Sequence, residues 1–193
     1  MTSCLQTHRS RFDSGPLGLI TASVAVLALF VTTSSAEDIT VAPGTPGAIN
    51  AAISSASNGD VIQLQAGTYE EESVIDTQGK AISITGTIDA GSGRPLTVIN
   101  GQDIHRVFQC INNEGYNTIL KDLEIVNGLN PVGAGLYCAS QGRPLVENCK
   151  FSGHNKSLTV GSTIKSADSD GFGCNNSTDY LKLRNLVMCE NGG

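Results

Sequence analysis

Two carboxylates one residue apart, Asp168 and Asp170 in SADSDGFG (Ser166 to Gly173), have the type and spacing to hold a metal ion. Gly171 follows at once, so both side chains can converge from one turn, and paired hard oxygens are what calcium requires. Calcium takes about six to eight oxygens, so other ligands must come from elsewhere in the chain, the backbone or water. The same Asp-x-Asp-Gly pattern also makes an ordinary solvated turn. The nearest bases are Lys165, Lys182 and Arg184, candidates by proximity in sequence alone, and no residue is identified as catalytic. Zinc is not indicated, because no CxxC spacing occurs and His105 and His154 stand in different parts of the chain. Both histidines are expected to be solvated corner residues.

The elements that must position these carboxylates are read from a recurrence. ILKDLEIVNG (Ile119 to Gly128), LVENCKFSGH (Leu145 to His154) and LKLRNLVMCEN (Leu181 to Asn191) align on Asp122, Asn148 and Asn185. One column then holds Leu120, Val146 and Leu183, a second Leu123, Cys149 and Leu186, and a third Ile125, Phe151 and Met188. Alternate residues of a strand share a face, so the second and third columns point together. The first column has the opposite parity and turns inward only if the chain bends at the Asp or Asn, residue types that tolerate left-handed backbone angles. Short strands joined at corners, repeated once per coil, describe a parallel β-helix, whose coils must stack to bury their apolar sides. An earlier half of the repeat is RVFQC, GLYC and GFGC, with Phe108, Leu136 and Phe172 in one column and Cys110, Cys138 and Cys174 in another.

Upstream, Ile49, Ala52, Ile53 and Ala56 fall at helical spacing and Asn58-Gly59 supplies a left-handed stop, which predicts a short amphipathic helix. It would cap the open end of the first coil, whose backbone edge and core are otherwise bare. Val61, Ile62 and Leu64 open a strand expected to end at a Gly67-Thr68 turn, and Val74-Ile75, Ile82 with Ile84, and Val98-Ile99 are further short strands. Residues 1–36 have the order of an export signal: His8, Arg9 and Arg11, an apolar run from Leu17, then Ser34-Ser35-Ala36. Cleavage after Ala36 is expected, with an uncleaved membrane anchor as the alternative. Residues 37–193 would form the β-helix domain, expected to be incomplete at its C-terminus because the chain stops in mid-repeat at Gly193.

Five cysteines remain after Cys4 leaves with the signal. Parallel side chains stacked about 4.8 Å apart hold their Cβ atoms slightly too far apart for a disulfide, which favours buried thiols as small apolar core residues. Asn155, Asn175 and Asn176 are glycosylation sequons. The 193 residues are 39% apolar and 16% charged, with 22 Gly, no Trp and a net charge of −6. That composition suits many short strands with tight corners and argues against nucleic acid as a partner, since phosphate binding relies on Lys and Arg.

Residues 37–193 resemble the right-handed parallel β-helix superfamily of pectin-lyase-like proteins. GDVIQLQAGTYEE, KAISITGT, LTVING, LKDLEIVNG and GAGLYCASQGRPLVENCKFSGH are similar to the repeats of bacterial surface proteins, many without catalysis. SADSDGFGC followed by LRNLVMCENGG is similar to calcium-dependent pectate lyases, and Asp168-Ser169-Asp170-Gly171 more loosely to the related pectin hydrolases. The lyase resemblance implies that Asp170 is a calcium ligand, with Asp168 beside it, and that the paired Asp of the next coil and the catalytic base lie beyond Gly193. It implies an all-β, right-handed parallel β-helix with a short N-terminal capping helix, monomeric, secreted or at the cell surface, meeting a membrane only through an uncleaved N-terminal segment. The function it implies is binding or processing of an acidic polysaccharide or cell-surface glycan. If it is an enzyme, the reaction is calcium-assisted β-elimination on a uronate polymer, in which a basic residue removes the proton that calcium acidifies. The alternative is a non-catalytic surface or adhesion repeat protein. No cofactor other than calcium is expected.

Overall fold

The computed structural model describes residues 35–154 and the strands 172–174, 182–184 and 187–189. Asp168, Asp170 and Lys165 lie outside the described residues, as does nearly all of the export signal.

Strand β1 (Asp38–Val41) leads into helix α1 (Ala48–Ser55), and the chain then winds through repeated coils of three strands. The first coil holds β2 (Val61–Leu64), β3 (Gly67–Glu70) and β4 (Ile75–Asp76), and the second β5 (Ser83–Thr85), β6 (Thr97–Asn100) and β7 (Phe108–Cys110). The third holds β8 (Ile119–Lys121), β9 (Leu123–Val126) and β10 (Leu136–Cys138), and the fourth β11 (Leu145–Glu147), β12 (Lys150–Ser152) and β13 (Phe172–Cys174). Strands β14 (Lys182–Arg184) and β15 (Val187–Cys189) follow. Equivalent strands pair in parallel and make three sheets: A, in the order β1-β2-β5-β8-β11-β14; B, β3-β6-β9-β12-β15; and C, β4-β7-β10-β13.

The columns read from the sequence are the registers of these sheets. Leu120 pairs with Val146 and Val146 with Leu183; Ile125 pairs with Phe151 and Phe151 with Met188; Cys110 pairs with Cys138 and Cys138 with Cys174. Sheet A passes to sheet B through Asp122, at φ 58°, and Asn148, at φ 50°. That left-handed residue breaks the alternation, so Leu120 and Leu123, three apart, both turn inward and are fully buried. Val146 and Cys149 do the same one coil on. The core is a stack of Ile62, Ile84, Leu120 and Val146 from sheet A, Tyr69, Ile99, Ile125 and Phe151 from B, and Ile75, Phe108 and Leu136 from C. Each such side chain contributes about 1.5–3 kcal/mol by leaving water. Cys110 and Cys149 are buried free thiols, and burial pushes the Cys149 thiol up to about 12, so it serves as a core residue and not a nucleophile.

The helix sits where the expectation placed it, packed against β1 and β4 with Ile49, Ala52 and Ile53 buried. Its charges come from other coils. The Glu71 carboxylate accepts the N–H groups of Ile49 (3.0 Å) and Asn50 (3.4 Å) at the N-terminus, and Lys80 Nζ donates to the carbonyls of Ile53 (2.5 Å), Ser54 (3.0 Å) and Ala56 (2.9 Å) at the C-terminus. Both signs complement the helix dipole. Asn50 bridges to sheet C: Nδ2 donates to Val74 O (3.3 Å) and Oδ1 accepts from the Asp76 N–H (3.4 Å), so one carboxamide takes the place of a neighbouring strand's peptide group.

Three expectations are corrected. The helix stops at Ser55 because Ala56 is already extended (ψ 148°), so Asn58-Gly59 serves as the turn into β2. Gly67-Thr68 is no turn but the start of β3, since the chain has already turned after Leu64. The third concerns the histidines. His154 is fully buried, its Nδ1 accepting the Gly128 N–H at 3.0 Å, while its Nε2 is buried without a hydrogen-bond partner. Gly128 makes the room: a Cβ there would meet Ala134 O at 2.1 Å and His154 Nδ1 at 3.0 Å. His105 is also no solvated turn residue, because its ring nitrogens bond the carbonyls of Arg106 (2.6 Å) and Glu71 (2.9 Å).

Candidate functional site

The A-to-B corner is a bend of one or two residues in the third and fourth coils, but in the second coil the chain leaves it as a projecting hairpin. Between β5 and β6, Thr87 to Leu96 fold back on themselves: the Asp89 N–H donates to Arg94 O (2.8 Å) and the Leu96 N–H to Thr87 O (2.7 Å), with Ile88 bridged antiparallel to Pro95. Asp89 ties the tip, its Oδ1 accepting both the Ser92 N–H (2.8 Å) and the Ser92 hydroxyl (2.7 Å). Those bonds from Ser92 hold the Asp89 carboxyl below its usual range. The hairpin leans along the stack. Asn148 Nδ2, two coils on, donates to Gly93 O at 3.3 Å and to Asp122 Oδ1 at 2.7 Å.

Between this hairpin and the corner lies a groove of about 790 Å³. Ile88, Ser92, Gly93, Arg94 and Pro95 form its outer wall, and Lys121, Asp122, Glu147, Asn148, Cys149 and Lys150 its floor. Lys121 Nζ is 3.6 Å from Glu147 Oε1 on the sheet A side, and Arg184 Nη1 approaches Glu147 Oε2 at 3.9 Å from the next coil. On the sheet B side Lys150 Nζ lies 2.6 Å from Glu124 Oε1. Three cations line the groove against two carboxylates, a local positive excess in a chain of net charge −6. Such a surface can hold an anion with Arg and Lys while Asn148 and the carboxylates bond its hydroxyl groups.

Of the residues proposed from sequence, Arg184 is brought to the edge of this groove, exposed beside Glu147, and Lys182 lies in β14 two residues before it. Among the described residues no three His, Cys, Asp or Glu side chains converge as a metal cluster, so the calcium expectation stays with Asp168 and Asp170. Sequence reasoning missed Arg94, Lys121 and Lys150 as a group. The available signal was Asp89, Gly91, Ser92, Gly93 and Pro95 within ten residues, a run of turn formers too long for a one-residue corner.

A second polar surface runs along the outward face of sheet C, where Gln109 Nε2 and Asn112 Nδ2 donate to the Asp76 carboxylate (2.7 and 3.1 Å) and Arg106 lies 4.2 Å over the Tyr137 ring. Arg106 is committed to Gly133 O, Val132 O and Asn130 Oδ1, which makes it a staple for the chain entering β10.

No protein-family model matches the sequence, and no curated protein does. Among solved structures, a PL6 family alginate lyase, AlyGC, superposes with a TM-score of 0.56 at 21% identity, over 82% of this chain and 21% of that one. An arginine-to-alanine variant of the same enzyme superposes with a TM-score of 0.52 at the same identity and coverage. This chain therefore spans about a fifth of the lyase's length. The likeness establishes the fold, a right-handed parallel β-helix.

Proposed function

We propose that the protein is an exported β-helix that binds an acidic polysaccharide in the groove between the 87–96 hairpin and the A-to-B corner. The observation that carries this is the gathering of Arg94, from the outer wall, with Lys121 and Lys150, from the floor, around one groove of an otherwise acidic molecule. A uronate sugar offers one carboxylate and several hydroxyls. Guanidinium and ammonium groups suit the first, and Asn148 and Glu147 suit the second. The fold shared with an alginate lyase supports a polyuronate as the ligand.

Calcium binding by Asp168 and Asp170 belongs to the same proposal, and a bound ion there would help neutralise uronate carboxylates. The ion pairs of Lys121 and Lys150 favour holding a polymer over abstracting a proton from it, so a non-catalytic surface glycan-binding role fits the same groove.

The test is calorimetric titration of the protein with polygalacturonate and alginate oligomers, with a neutral glucan as control, across a salt series. Binding confined to the uronates and weakening with salt is expected. Equal affinity for the neutral glucan, or no uronate binding, overturns the proposal. A calcium-dependent rise in ultraviolet absorbance in the same mixtures assigns elimination chemistry, and a flat trace assigns binding alone.

A further inference from the structure

Arg94 differs from the other cations of the groove. Lys121 and Lys150 are each paired with a glutamate, whereas the Arg94 guanidinium is exposed and has no hydrogen bond or ion pair among the described residues. Its backbone is nevertheless fixed from both sides. The Arg94 carbonyl accepts the Asp89 N–H at 2.8 Å, the preceding Gly93 carbonyl is held by Asn148, and the following Pro95 restricts Arg94 to extended angles. A fixed backbone mount carrying an uncommitted guanidinium is the arrangement of a group kept for a ligand, because only the side-chain rotamers, and not the loop, remain to be ordered on binding.

We infer that Arg94 is the specificity-determining residue of this groove, reading the carboxylate of a polyuronate, and that the groove rejects sulfated glycans. This rests on the groove being the polysaccharide site. The planar guanidinium matches a carboxylate through two parallel N–H···O bonds. Across the groove stand Asp122 and Glu147. They accept hydrogen bonds from sugar hydroxyls, but a sulfate in place of a hydroxyl brings a second negative charge against them and has no proton to donate. Attraction at Arg94 selects acidic over neutral polymers, and repulsion at Glu147 selects carboxylated over sulfated ones.

The experiment measures dissociation constants of the full chain and its Arg94→Ala, Arg94→Lys and Glu147→Gln variants for a uronate oligomer, a heparin-type sulfated oligomer and a neutral glucan oligomer, with a thermal melt of each. Arg94→Ala is expected to weaken uronate binding about tenfold without shifting the melt, as fits loss of a charge-assisted pair by an exposed side chain with no hydrogen bond or ion pair among the described residues. Arg94→Lys restores only part of that loss. Glu147→Gln is expected to raise affinity for the sulfated oligomer relative to the uronate. Uronate binding by the native chain that Arg94→Ala leaves unchanged overturns the role of Arg94 while the groove reading stands. A native preference for the sulfated oligomer overturns the ligand class. No acidic-polymer binding by the native chain overturns the groove reading and this inference with it.

Discussion

At the helical cap, Glu71 and Lys80 give their charge to main-chain N–H and C=O groups of α1, and both are saturated with partners. At the hairpin, Asp89 is tied in the same way by Ser92, yet the exposed Arg94, five residues on, makes no side-chain hydrogen bond or ion pair among the described residues. The two regions use similar side chains for opposite purposes. A charge that completes its bonds within the fold is there to hold the fold, and a charge whose backbone is fixed while its head stays uncommitted is there to meet something else. Changes at the first kind should move stability, and changes at the second kind should move binding.

The sharpest way to break this contrast is at the hairpin's root. A Cβ on Gly86 would come within 2.1 Å of Asp122 O and 2.9 Å of Thr97 Cβ, both fixed by the coil stack. Gly86→Ala is expected to cost about 3 kcal/mol in denaturant unfolding and to abolish binding, because the hairpin loses its seat. A variant with native stability would show that the root can yield.

His154 gives the next largest effect. Burial lowers its pKa to about 4, against about 6.5 for an unfolded histidine, so between those pH values the unfolded chain holds more protons. Stability present above about pH 6.5 is lost as pH falls, by up to about 3 kcal/mol near pH 4. In unfolding curves over that window, His154→Leu is expected to flatten the slope, whatever its stability at neutral pH. An unchanged slope would assign the acid sensitivity to carboxylates.

Glu71→Ala should cost about 2 kcal/mol, since two helix N–H groups lose their acceptor, and should leave uronate affinity unchanged. A change in affinity there would couple cap and groove and blur the distinction between them. The smallest stability effect is expected at Asp89→Ala, with no measurable shift of the unfolding midpoint, because the hairpin tip is exposed. It should still weaken uronate binding by about threefold through a looser Arg94 mount, and an unaltered affinity would show that the tip needs no Asx turn.

The coil stack was legible in the sequence because its determinants are local. Alternating Leu123 and Ile125 fix a face, and Asp122 or Asn148 permits the left-handed bend that brings Leu120 inside. The buried setting of His154 was not legible, because it depends on the absence of a side chain at Gly128, one coil away. The groove was hidden for a related reason. Arg94, Lys121 and Lys150 are separated by 27 and 29 residues and meet only once coils stack and the hairpin folds along them. A spacing argument could have marked the excursion, since Ile84 to Leu120 takes 36 residues where Leu120 to Val146 takes 26. It could not have said which way the excursion leans. Asp168 and Asp170 remain the carboxylate pair the sequence offers for calcium, outside the described residues.

Parallel strands stacked coil on coil share their spacing with cross-β fibres, and an uncovered rung is a template on which another chain can add. The bonds of Asn50 to Val74 and Asp76 satisfy the outer edge of β4 with a carboxamide that cannot itself pass the pairing on. In the language of polymer growth, that side chain is a terminator: it occupies the propagating end of sheet C and offers no new end in exchange.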